Sequence, residues 1–472
     1  MLFPTLTFGL FFLVMFAAVW SLRSNDWRKL VLLVGSWVFY GAWDWRFVPL
    51  LIVSAVINWG AAVLIARSDD TGRSGAARRK SLLIGAVAAN LLMLGFFKYF
   101  GFFAEQAGSL LALSGIKQDP ALMQVILPIG ISFFTFQGIS YVVDVAKGRV
   151  PAARLLDILL LMSFFPHLVA GPIVRAADLV PQLQAVPKLN RGMVSMGLLL
   201  IVWGLFKKAV IASELATQFV DPVFTAPQLY GSLDLILAAY GYAVQIYCDF
   251  SAYSDMAIGL AALLGYRFPR NFDRPYRAES LQEFWRRWHI SLSRWLRDYL
   301  YIDALGGNKG GRFRVYRNLM ITMLLGGLWH GASWTFVIWG GLHGTALVVE
   351  RLWARMPATA GIVLPRWAKI ALTFHVVVLG WIFFRAASFG DALAYLGGIF
   401  APIGTVTATP LVVLLIAGGL AIHALPWDGL TRAAQRIRTV PAPLVAAGLA
   451  VAMLVVDAMR YEGVAPFIYF RF

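Results

Sequence analysis

The chain has 472 residues, 60% of them hydrophobic and 14% charged, and its mean hydropathy is +0.71. That composition excludes a soluble globular protein, whose surface needs far more polar side chains. The net charge of +17, from 41 Lys+Arg against 24 Asp+Glu, fits the basic bias of cytoplasmic loops in membrane proteins. It argues against nucleic-acid binding, because no basic soluble module exists to carry it.

Apolar runs follow one another along almost the whole sequence. They lie at 2–22, 30–43, 48–66, 82–103, 122–143, 156–169, 193–211, 233–264, 319–347, 370–384, 410–424 and 443–456. Several approach the roughly 20 residues that a helix needs to cross about 30 Å of hydrocarbon. Lipid offers no partner to backbone N–H and C=O groups, so such runs must be helical. The expected fold is an all-α integral membrane protein, a polytopic helical bundle of about a dozen segments, folded as a single domain over 1–472. The first run is too long for a signal-peptide core and no small-residue cleavage site follows it, so it reads as retained. Basic clusters at Arg23, Arg28 and Lys29, at Arg67, Arg73, Arg78, Arg79 and Lys80, and at Lys147, Arg149 and Arg154 follow the first, third and fifth runs. They place that side in the cytoplasm and the N-terminus outside. No internal repeat is visible, against the inverted repeats of many transporters.

Residues 266–318 break the pattern, being polar, basic and rich in Trp and Arg. Within them the string at 284–301, FWRRWHISLSRWLRDYLY, has helical periodicity. Phe284, Trp285, Trp288, Leu292, Trp295, Leu296 and Tyr299 form one apolar arc; Arg286, Arg287, Ser293, Arg294, Arg297 and Asp298 take the other side. The pattern predicts one amphipathic helix at the membrane surface or against other helices, with His289 at the border of the arcs. Two readings of His289 stand: a histidine bonded to a neighbour at headgroup level, or a functional imidazole. The glycine-rich turn at 306–311, followed by Arg312, Arg314 and Arg317, is either a flexible cytoplasmic turn or a phosphate cradle of backbone N–H groups and cations. It lacks the spacing of a Walker loop. Arg286, Asn308, Lys309 and Arg312 are the candidate donor-binding residues.

The stretch at 324–344, LLGGLWHGASWTFVIWGGLHG, puts His330 and His343 inside an apolar run. Gly326, Gly327, Gly331, Gly340 and Gly341 permit close helix packing. An ionisable group at membrane depth points to function, and histidine moves protons near neutral pH. On one straight helix the two histidines point to different faces, and their spacing is not that of a helical metal site; no metal is expected. His375 and His423 read as packing residues. Pro166, Gly171 and Pro172 should break a helix around His167. Asp249 and Asp255, inside an apolar run, must be paired or shift their pKa; two readings stand, a structural one with arginines of the polar region as partners and a catalytic one. The one cysteine, Cys248, rules out an internal disulfide or a cysteine metal cluster, and nothing beside it in sequence would activate it as an acyl carrier. No Gly-x-Ser-x-Gly elbow, no His-x-x-x-x-Asp acyltransferase pattern and no dinucleotide fingerprint is present.

Taken in order, SFFTFQGISYVVD at 132–144, FFPHLVAGPI at 164–173, CDFSAYSDMAIG at 248–259, the Trp-rich string, Leu-Gly-Gly-Asn at 305–308, Trp-His-Gly at 329–331 and Trp-Ile-Phe-Phe-Arg at 381–385 resemble the membrane-bound O-acyltransferase family. The resemblance is closest to its bacterial branch that O-acetylates alginate, other exopolysaccharides or peptidoglycan. MLFPT at the start and FIYFRF at the end fit too. The resemblance implies a helical bundle around a catalytic funnel or tunnel in the bacterial cytoplasmic membrane. The donor, acetyl-CoA, would be presented on the cytoplasmic side and the acetyl group would leave outward to a polysaccharide acceptor. An extracytoplasmic partner of the SGNH hydrolase type would assist. It also implies that His330 is the essential histidine and that His289 matches the second histidine of the D-alanyl transfer proteins of teichoic acids. Two departures stand out: His167 replaces a common Gln or Thr, and Ile302-Asp303-Ala304 adds a residue where many relatives have Ile-Pro. Three rival readings remain open: an acyl carrier protein as donor, a lipid or protein as acceptor, and a transporter or channel without chemistry.

Overall fold

In a computed structural model the protein is described over residues 3, 5–68, 73–114, 125–356, 364–425 and 427–459. The string at 467–472 lies outside these residues, as do the first residues of the runs that begin at 2 and 122; the opening string is described only at Phe3 and Thr5. Among the described residues every regular element is helical. Among the described residues five helical stretches are long and apolar enough to cross a bilayer: Asn25–Ala66, Ser74–Leu113, Arg191–Thr225, Arg366–Arg385 and Ala442–Met459. The helices gather into two compact units, Met1–Lys188 with Leu264–Phe268, and Leu189–Leu263 with Pro269–Phe472.

The first unit contains α1 (Leu6–Ser21), α2 (Asn25–Asp44), α3 (Val48–Ala66), α4 (Arg73–Leu113), α5 (Ile131–Ala146), α6 (Leu155–Ser163) and α7 (Ala176–Gln184). Thr5 begins α1 by accepting the Phe8 N–H at 3.3 Å, satisfying one orphan donor of the first turn. Two polar pairs tie helices of this unit together. Lys29 of α2 meets Asp157 of α6 at 2.8 Å. Asn58 of α3 and Asn90 of α4 exchange amide hydrogen bonds of 3.1 and 2.8 Å, a form of adhesion suited to an apolar setting. The break expected around His167 is present. α6 stops at Ser163, a single turn spans Phe165–Leu168, and residues 171–175 are not helical. His167 is buried there, with Nε2 2.9 Å from the Leu161 carbonyl.

The second unit opens with α8 (Arg191–Phe206), which runs on through π-helical turns at Lys207–Ala212 and Ala216–Val220, and with α9 (Ser232–Leu263). The partners of Asp249 and Asp255 require a correction. Asp255 pairs with Lys207 at 2.7 Å and Asp249 with Lys208 at 2.9 Å, not with arginines of the polar region. A π turn is wider and rotates successive side chains less than an α turn does. Two consecutive lysines can therefore reach one neighbouring helix.

A second correction concerns the string at 284–301. It is not one helix. α10 (Leu281–Arg287) stops, His289 adopts a left-handed backbone with φ 41°, and α11 (Ile290–Trp295) starts afresh before a π-helical segment at Leu296–Ala304. The arcs survive the break. Phe284, Trp288, Leu292, Trp295, Leu296 and Tyr299 are buried, whereas Arg286, Arg294 and Arg297 are exposed.

A third correction concerns the run at 319–347, which is a helical hairpin. α12 (Arg312–His330) ends at His330, and Ser333 caps α13 (Trp334–Trp353) by accepting the Thr335 N–H at 3.3 Å. The arms touch at glycines. A Cβ on Gly340 would run into the Met323 carbonyl oxygen, and one on Gly327 into that of Phe336. Gly340→Leu should therefore force the arms apart at a cost of about 3 kcal/mol. The check is monodispersity and thermal stability in detergent beside Gly341→Ala, whose nearest neighbour is Leu324 Cδ2 at 3.7 Å. A Gly340→Leu protein as stable as wild type would contradict this packing. The unit is completed by α14 (Arg366–Arg385), α15 (Phe389–Gly398), α16 (Pro410–Ala421), α17 (Trp427–Ile437) and α18 (Ala442–Met459).

Candidate active site

The hairpin places His330 at the last residue of α12, buried, with its ring 5.0 Å from Trp329, 5.0 Å from Trp339 and 5.2 Å from Phe384 (centroid distances). His343 sits on the other arm, 4.8 Å from Trp339 and 5.2 Å from Trp285. The chain reversal thus brings both histidines onto Trp339, which a straight helix could not do. His289 belongs to the same cluster. Its ring is fully buried, 4.6 Å from Phe250 and 6.1 Å from Trp329. The indole of Trp329 therefore contacts both His289 and His330. Burial among rings penalises the imidazolium and pushes His289 down to about 3, so it is neutral at physiological pH. It lies outside the five spanning stretches.

A cleft of about 1030 Å³ opens beside this cluster. Of the residues singled out for donor binding, Arg286, Asn308 and Lys309 line it; Arg312, exposed at the start of α12, does not. Arg294, Arg297, Tyr301 and Arg351 also line it, with Glu350 among them. The charge is strongly positive, and the volume is at the upper end of small-molecule sites. The glycine turn has a defined course. Asn318 Nδ2 donates to the Leu305 and Gly307 carbonyls at 2.9 and 3.0 Å. Gly306 and Gly307 have φ of 85° and 61°, a conformation open mainly to glycine. Asn308 Oδ1 accepts from Tyr301 Oη at 2.7 Å and from Arg351 at 3.4 Å. Trp285 lines the cleft and packs 5.7 Å from Trp339. One indole thus separates the cleft wall from His330.

Sequence reasoning missed Arg351 and Glu350. Their only signal was position, since charges that follow an apolar run gather at the membrane surface. It also missed Asn271, whose contacts with the His289 turn are long-range. His375 and His423 are hydrogen-bonded: His375, exposed on its helix, meets Tyr240 Oη at 2.8 Å and the Ala371 carbonyl at 2.7 Å, and buried His423 meets the Gly419 carbonyl at 3.3 Å. Cys248 is buried. Among the described residues no group of three or more His, Cys, Asp or Glu is placed to hold a metal.

The sequence profile of the membrane-bound O-acyltransferase family matches residues 152–390. A probable alginate O-acetylase of Pseudomonas aeruginosa is 42% identical over 391 residues, 82% of this chain and 72% of that protein. A peptidoglycan O-acetyltransferase of Helicobacter pylori is 38% identical over 398 residues, 79% of this chain and 73% of that one. A teichoic acid D-alanyltransferase of Streptococcus thermophilus is 29% identical over 238 residues, 47% of this chain and 56% of that one. The matched region holds His289, His330 and His343, the tryptophans around them and the basic cleft, and on these similarities the chain belongs to the membrane-bound O-acyltransferase family.

Proposed function

We propose that this O-acyltransferase takes an acetyl group from acetyl-CoA at the cytoplasmic face of the bacterial inner membrane and delivers it outward for O-acetylation of an extracytoplasmic polysaccharide. An SGNH-type protein would be its extracytoplasmic partner. The observation that carries this reading is the basic cleft, whose Trp285 wall is separated from His330 by one further tryptophan, Trp339. Arg286, Lys309 and Arg351 offer cations to the donor's phosphates, and Asn308 a polar side chain. The funnel and the full set of about a dozen membrane segments belong to the same proposal. Alginate and peptidoglycan, the polymers in the names of similar proteins, are the first acceptors to try.

The chemistry is general-base acyl transfer. His330 takes the proton of an acceptor hydroxyl as its oxygen attacks the thioester carbonyl carbon. The tetrahedral intermediate collapses, the C–S bond breaks, and the thiolate recovers the proton from the imidazolium. The products are an O-acetyl ester and free CoA. His289 assists, by proton transfer or by stabilising developing charge.

In proteoliposomes, Arg286→Glu and Lys309→Glu should each raise the KM for acetyl-CoA by on the order of tenfold and change kcat by less than about threefold. An unchanged KM in both would remove the cleft from donor binding. Transfer supported by a charged acyl carrier protein but not by acetyl-CoA would replace the donor.

A further inference from the structure

His289 is one of two non-glycine residues with a left-handed backbone among those described, the other being Arg274. Such a conformation is strained for an L-residue and persists where its surroundings enforce it. Asn271, itself buried, supplies the enforcement. Its main-chain carbonyl accepts the Ile290 N–H at 2.8 Å. Its Oδ1 accepts the Ser291 N–H at 3.2 Å and the Ser291 hydroxyl at 2.8 Å, and lies 3.2 Å from His289 Nδ1. Its Nδ2 donates to Ser254 Oγ of α9 at 3.0 Å.

The set determines where the imidazole proton sits. A backbone N–H only donates, so the amide atom facing Ser291 is the oxygen. An oxygen that only accepts favours the tautomer with the hydrogen on His289 Nδ1, and the Ser291 hydroxyl, 3.5 Å from Nδ1, already donates to that same oxygen at 2.8 Å. In the neutral ring Nε2 then holds the lone pair. Nε2 is buried, with no hydrogen-bond partner among the described residues. We propose that Asn271 is the positioning residue of His289: it clamps the left-handed turn and holds the imidazole as the Nδ1–H tautomer, which leaves Nε2 as the proton acceptor. This rests on the reading of His289 given above, and not on whether the donor is CoA or a carrier protein.

The test is a pH–rate profile of acyl transfer for wild type, Asn271→Leu, Asn271→Asp and His289→Gln, each normalised to inserted protein by immunoblot. Asn271→Leu should lower kcat by on the order of 10²-fold and leave the donor KM within about threefold. Asn271→Asp keeps the acceptor atom and adds a negative charge beside Nδ1–H. That charge favours the imidazolium, so a higher pH is needed to free the base, and the acid limb should move up by about one pH unit or more. Other charged or titratable groups lie on the elements around His289. Asp249 and Asp255 are tied to lysines, Arg270 is tied to Asp273 at 2.6 Å, and His330 lies beyond Trp329. All are common to wild type and variant, so the difference between their profiles is the readout. If Asn271→Leu fails to insert, the near-isosteric Asp variant decides. An Asn271→Leu kcat equal to wild type, or an acid limb unmoved in Asn271→Asp, overturns the proposal while the function stands. A fully active His289→Gln overturns it together with the role of His289.

Discussion

His330→Ala is expected to lower acyl transfer by on the order of 10³-fold or more while the protein still inserts. The ring is the polar part of a cluster otherwise built of Trp329, Trp339 and Phe384. Alanine removes both the proton acceptor and the volume. Loss of a buried ring costs about 3–5 kcal/mol in aromatic cores, so His330→Gln, nearer in size, accompanies it. The measurement is polymer O-acetyl content in complemented cells, with immunoblot of membranes as the folding control. Both variants should be inactive. Near-normal acetylation by either would remove His330 from the chemistry.

For His289→Gln the expected loss is on the order of 10²-fold or more in the initial rate of transfer from reconstituted membranes. Gln can replace one hydrogen bond, to Asn271, but cannot accept a proton on a basic nitrogen. It also meets the left-handed backbone less well than His. Asn tolerates that backbone, so His289→Asn separates conformation from chemistry. If the loss came from the backbone, the Asn variant would recover activity; if it came from the imidazole, it would not. A His289→Gln rate within about threefold of wild type would leave His330 as the only catalytic histidine.

The long helices were legible because their causes are local. The run at 48–66 is the helix Val48–Ala66 to the residue, and the apolar arc of the Trp-rich string is the buried face. The failures share a cause too. Periodicity continued smoothly through His289, but Asn271, 18 positions away, takes up the N–H groups and side chain that follow the break. Hydropathy likewise ran on through Gly331, where the chain reverses. The pairing of Lys207 and Lys208 with the α9 acids depends on a π turn, which shifts side-chain direction without altering composition. The candidate histidines were legible as buried ionisable groups; their meeting on Trp329 and Trp339 was not, because it needs the reversal. Arg286, Asn308 and Lys309 were legible as a polar basic string, whereas Arg351 joins them only when α13 folds back along α12.

Acetyl transfer from labelled acetyl-CoA in proteoliposomes tests the assignment most directly. Wild-type protein supplied with a polysaccharide acceptor and an SGNH-type partner should move label from CoA into base-labile ester. His330→Ala should move none above background, although it binds the donor in the cleft as tightly as wild type. Wild-type protein that binds acetyl-CoA yet forms no labelled ester, or His330→Ala protein that forms it at the wild-type rate, would contradict the account.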